Sequence, residues 1–168
     1  MSKAKWEQWV KNPDGLKKDF ARFLQKRVIR EGATATEAKG HLRKAKRNLL
    51  FSRRIIDEFQ DFYEWTLVSY YYAVYHAALA LAAKQGYKTK SHQATISILI
   101  KYYFPTQLNM KDLQILERED IQEFVELKNR REDASYSISI AYEKQLAEDL
   151  AEKAIDFVNK AEMIVENQ

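Results

Sequence analysis

Ser69-Tyr70-Tyr71-Tyr72-Ala73-Val74-Tyr75-His76-Ala77-Ala78-Leu79-Ala80-Leu81-Ala82-Ala83 is the stretch that decides the fold, and it runs on through Lys84-Gln85-Gly86 to Lys90-Ser91-His92. With the residues before it, it predicts a helix over about Tyr63 to Gln85 that carries Trp65, Val68, Tyr72, Tyr75, Leu79 and Ala82 along one stripe. Ser69, Ala73, Ala77 and Ala80 lie beside that stripe, and side chains this small let a neighbouring helix approach closely. The tyrosines bring packing area together with a hydroxyl that needs a partner. Gly86 is the expected stop, and Ser91 the cap of a following helix that holds Ile96, Leu99, Ile100 and Tyr103 and is limited by Pro105.

On the N-terminal side, Thr36 is the expected cap of a helix in which Leu42, Ala45, Leu49, Ser52, Ile56 and Phe59 recur at three- and four-residue steps. Further upstream, Trp6 and Trp9 mark one amphipathic turn and Asn12-Pro13-Asp14-Gly15 reads as a turn. Leu16 to Arg30 then forms a helix stopped by Gly32. On the C-terminal side, Asn109 with Asp112 opens a long helix whose stripe is Leu113, Leu116, Asp120, Phe124, Leu127, Arg131, Ala134 and Ile138. A last helix spans about Ala141 to Glu166 through Leu146, Leu150, Phe157, Ala161 and Ile164. The fold class expected is all-α: an up-and-down antiparallel bundle of four to five helices over residues 36–168. A short basic helical extension, residues 1–35, is pinned to it by the tryptophans.

The composition agrees. One domain suits 168 residues of which 46% are apolar, and four glycines and two prolines leave little punctuation for many short strands. No apolar run approaches the roughly 20 residues that span a bilayer, and Met1 to Gly15 is unlike a signal peptide, so a cytoplasmic protein without a membrane role is expected. The absence of cysteine removes disulfides, thiolate chemistry and thiolate zinc sites. His41, His76 and His92 show no metal-ligand spacing, so neither a metal nor a cofactor is expected. Charge is polarised: residues 1–54 hold 16 Lys/Arg against 5 Asp/Glu, residues 55–168 hold 12 against 19. Such a basic half suits phosphate backbones, a solvated helix face or an acidic partner alike.

Arg131 stands out because it falls in an apolar register, where a guanidinium costs several kcal/mol unless its donors are met. Its candidate partners are Asp120, Glu132, Asp133 and, if the two helices are neighbours, the tyrosine and histidine groups of the Tyr63–Gln85 helix. The alternatives are an internal salt bridge, a side chain reaching to solvent, or an anion site for phosphate. Arg130 faces elsewhere and is expected in solvent. His76 lies beside the apolar stripe, a place more usual for a structural histidine than a catalyst. His92 near a helix start is expected to stay neutral, because the helix dipole opposes added positive charge.

Tyr71-Tyr72-Ala73-Val74-Tyr75-His76-Ala77-Ala78, Gly86 and Lys90-Ser91-His92 resemble the YYAxFHAA, Gly and KxH succession of one branch of the HEPN family. Arg131-x-x-Ala134-Ser135-Tyr136 is similar to that branch's RxxADY, with serine for aspartate. The resemblance covers roughly Thr36 to Glu166. It implies a helical bundle that dimerises with its arginine-bearing helices near the two-fold axis. Members are often encoded beside a minimal nucleotidyltransferase, and in nuclease members an arginine and a histidine four to six residues later cut RNA. Here that window holds Ser135, Tyr136, Ser137 and Ile138 and no histidine, and Tyr136 is a poor base near neutral pH.

The resemblance therefore implies a homodimer that binds a nucleotide, RNA or a partner nucleotidyltransferase through a cleft of Arg131, Tyr136, His76, Tyr72, His92 and Asp133, without strong catalysis. The alternative is a toxin-like, metal-independent ribonuclease of a toxin–antitoxin pair. A purely structural dimer is the third reading.

Overall fold

The computed structural model describes residues 3–59, 61–104, 116–136 and 142–167. Its elements are α1 (Lys3–Lys11), α2 (Pro13–Gln25), β1 (Ile29–Glu31), α3 (Ala35–Glu58), α4 (Tyr63–Lys84), β2 (Tyr87–Thr89), α5 (His92–Tyr103), α6 (Arg118–Tyr136) and α7 (Lys144–Glu166). The fold is an all-α helical bundle with one small antiparallel strand pair, in which Ile29 faces Thr89 and Glu31 faces Tyr87.

α4 is the axis of the bundle: it packs on α3, α7, α6 and α5. Its sequence explains why. From Ala77 to Ala83 every residue is buried, most of them alanine, so the backbones of several neighbours can approach at once. The expected stripe gives way accordingly. Trp65 is 56% and Tyr72 40% exposed, whereas Leu67, Tyr70, Tyr71 and Val74 are buried. On a helix enclosed along most of its length, apolar periodicity carries no phase, so the spacing could not say which face is open.

Local signals set the boundaries. Gly86 adopts φ 82° after α4, as a C-terminal stop should, and the Ser91 hydroxyl accepts from Ala94 N–H at the start of α5. α3 begins earlier than expected, because Thr34 and not Thr36 is the cap: Thr34 and Glu37 satisfy each other's backbone N–H in a reciprocal capping box.

The expected helix from Leu16 to Arg30 is corrected in the same way. It starts at Pro13 behind the Asn12 cap and ends at Gln25, where Arg27 N–H bonds Leu24 O and Val28 N–H bonds Phe23 O. That is a Schellman turn with Arg27, φ 55°, in the left-handed position usually held by glycine. The chain leaving it becomes β1, which pairs with β2, and Gly32, φ 91°, serves the turn into α3. Trp6 and Trp9 are buried in the same cluster as α5 residues Ile96 to Ile100, with the Trp9 indole donating to Asp19. The expected opening of a helix at Asn109, with Leu113, lies outside the described residues, as do Pro105, Ile138 and Ala141.

Candidate functional site

Two helices flank the partly open N-terminal half of α4 and bring different groups to it. From α6, the Arg131 guanidinium carbon sits 5.1 Å from the centroid of the Tyr71 ring, a cation–π contact. The Tyr71 hydroxyl lies 2.8 and 3.0 Å from the two ring nitrogens of His92 at the start of α5. Tyr75 stacks on Tyr71 at 5.8 Å and lies 4.7 Å from the His92 ring, and Phe124 of α6 closes the cluster 6.1 Å from Tyr75. Arg131, Tyr71, Tyr75 and His92 therefore form one unit, built from three helices.

The electrostatics follow from burial. The Tyr71 hydroxyl is pushed well above the usual tyrosine range by burial and by Tyr75, with Arg131 pulling the other way. It stays protonated. His92 is lowered to about 4 by burial, with Lys128 and Arg131 adding to it and Glu132 opposing, so its ring is neutral at physiological pH. Arg131 is half-buried, and its Nε is a buried donor without a hydrogen-bond partner among the described residues.

Arg131 does not meet Asp120. Eleven residues apart on one helix, the two are separated by about 16 Å. Asp120 instead accepts from Lys160 at 2.9 Å and from Glu117 N–H. Glu132 pairs with Lys128 at 2.7 Å, and Arg130 pairs with Glu126 at 2.7 Å where solvent was expected.

His76 goes elsewhere, to the α3 side of α4. Its Nδ1 is 3.1 Å from Nδ1 of His41, and the ring planes are within 23° of parallel. The centroids are 5.3 Å apart, close to the largest separation that nitrogen distance permits, so the two rings meet head to head. One carries the proton and the other accepts it, which leaves no room for an ion between the nitrogens. Burial, Lys44 and His41 lower His76 to about 4, and burial and Lys44 lower His41. Among the described residues no group of three or more His, Asp or Glu is placed to hold a metal ion.

Of the six residues singled out from the sequence, the single chain thus unites Arg131 and His92. Tyr72 sits at the rim, 40% exposed, its ring 5.1 Å from Tyr71. His76 is one turn away, its ring 6.0 Å from Tyr75. Tyr136 is 79% exposed and Asp133 is exposed, so neither joins the cluster within one chain. Tyr71, Tyr75 and His41 were missed. Tyr71 stands next to the residue chosen, and the only sequence signal for His41 was its spacing from the helix that bears His76.

A bundle of antiparallel helices with an arginine laid on a buried tyrosine defines a helical module with a cationic, aromatic cluster on its central helix. The chain belongs to the HEPN domain family, which matches residues 38–166. No curated protein matches it. No helix among the described residues is long and apolar enough to cross a membrane.

Proposed function

We propose that this protein is a non-catalytic HEPN module that binds a phosphate-bearing ligand, a nucleotide or RNA, in the cleft of Arg131, Tyr71, Tyr75 and His92. The supporting observation is the Arg131 guanidinium, laid over Tyr71 with a buried Nε that has no acceptor among the described residues. The cleft binds as a homodimer. A second copy seated on α4 covers the exposed Trp65 and Tyr72 and brings its own α6 close enough for Tyr136 and Asp133 to face the ligand, while His76 stays paired with His41 on the α3 side. A minimal nucleotidyltransferase is the protein partner the family resemblance suggests.

Binding without strong catalysis fits the proton inventory. Tyr71 holds its proton too tightly, and His92 too weakly, for either to exchange one readily near neutral pH. The toxin-like ribonuclease is the second reading, favoured by one fact: His92, although distant in sequence, reaches the residue that Arg131 covers.

The test is the mass of the purified protein in solution, with nucleotide and RNA binding at low and high salt, for wild type and Arg131→Met. Binding should weaken with salt and be lost in the variant while its melting temperature holds. A monomer, or binding indifferent to Arg131, overturns the reading. Growth arrest with RNA decay on expression, abolished by Arg131→Ala, would establish the ribonuclease instead.

A further inference from the structure

A second cationic centre lies outside that cleft. Arg27, Arg30, Lys90 and Ser91, with Val28 and Thr89, line a surface concavity of about 570 Å³ where the end of α2, the β1–β2 ribbon and the start of α5 converge. The strand register explains the convergence. Ile29 pairs with Thr89, so their side chains turn to the core, while Arg30 and Lys88 share the outer face. The neighbouring carboxylates are already engaged: Asp19 with Lys5 and Arg22, Glu37 with Lys88. Glu31 stands at the far end of the ribbon, opposite Tyr87. Arg27, Arg30 and Lys90 make no ion pair among the described residues, and all three are exposed.

Arg27 strengthens the case. It holds a left-handed backbone that glycine adopts freely and a residue with a Cβ does not, so a guanidinium is presented there at some cost in stability. Arg27 and Arg30 precede the residues matched by the HEPN family while Lys90 and Ser91 lie within them, so the N-terminal segment adds two guanidinium groups to a corner of the matched bundle.

We propose that this concavity is a binding site for linked phosphates, either a free diphosphate or successive phosphates of a nucleic-acid strand. Two guanidinium forks and an ammonium suit the several oxygens of such a group better than a single carboxylate. The first turn of α5, beginning beside Ser91, adds a favourable dipole without being the source of the site. The site does not depend on the Arg131 cleft.

The experiment titrates inorganic pyrophosphate, a short single-stranded RNA and a polyglutamate peptide into the full chain, for wild type, Arg27→Gly, Arg30→Gln, Lys90→Gln, Arg131→Met and the double variant Arg43→Gln/Arg47→Gln. Each of the first three variants should weaken phosphate binding by about fivefold to tenfold. Arg27→Gly should do so while its melting temperature holds or rises, because the turn is relaxed; a binding loss caused by misfolding would lower it. Loss for pyrophosphate identifies a free diphosphate, and loss for RNA alone identifies a strand; both support the site. Arg131→Met, which acts on the cleft, should leave in place the pyrophosphate-binding step that Arg27→Gly and Arg30→Gln weaken. Binding unchanged in Arg27→Gly and Arg30→Gln, an equal loss in the Arg43/Arg47 variant, or polyglutamate binding as tightly as pyrophosphate each overturns the proposal.

Discussion

The two halves of α4 solve opposite problems with one helix. From Ala77 to Ala83 the chain is sealed on all sides, and its alanines let α3, α5, α6 and α7 crowd the backbone. From Trp65 to His76 the side chains are large, aromatic and tipped with polar groups, and one face stays open, with Trp65 and Tyr72 exposed. The sealed half fixes the angles at which its neighbours leave it. The open half uses those angles to hold Arg131 against Tyr71 on one flank and His41 against His76 on the other. Close packing and polar, aromatic contacts are thus divided between two successive halves of one helix.

Breaking the sealed half should have the largest effect. Leu81→Ala removes a side chain with no exposure and should cost about 2–5 kcal/mol in denaturant unfolding. A loss under about 1 kcal/mol would mean that the half is loosely packed and the contrast false.

Acid comes next, and acts on the open half. The unfolded chain takes up protons near pH 6.5, whereas folded His76 and His92 resist them until about 4, so between those values the unfolded state binds more protons. The contribution of these two rings should be full above pH 6.5, fall as the pH drops toward 4, and level off below, where the protonation of paired carboxylates such as Asp19 and Glu37 takes over. His76→Gln with His92→Gln should flatten the slope; an unchanged pH profile would show that neither ring is held neutral.

Tyr71→Phe deletes only the hydroxyl facing His92 and should cost about 1 kcal/mol in stability. In the same variant the His92 ring should titrate at a different pH by NMR, which a packing role for Tyr71 alone would not produce. The smallest effect belongs to Trp65→Ser, which should change the stability of one chain by less than about 0.5 kcal/mol, because the ring is 56% exposed. If the homodimer forms on this face, the same change should raise the concentration at which it dissociates.

Much of this was readable in advance. Ser91 and Gly86 sit at helix ends because capping chemistry is local, and the limits of α4 follow from Gly86 and the run of good helix formers before it. Where the reading slipped, the competing signal was equally local. Thr34 outranks Thr36 because Glu37 lies three residues after it, and Arg27 ends α2 in a position where glycine was sought. The strand pair was hidden because three-residue strands leave almost no pattern, and each depends on the other, nearly sixty residues away.

The amino-acid order alone determined that the chain is helical, where most helices stop, and that Arg131 falls in an apolar register and needs company, since these depend on contacts within a few residues. Only the tertiary structure decided the company. It chose Tyr71 over Tyr72, gave Asp120 to Lys160, paired His41 with His76 and set Arg27 and Arg30 beside Lys90. A helical repeat fixes the angle at which a side chain leaves its own axis, but which neighbour waits at that angle is settled by how whole helices pack.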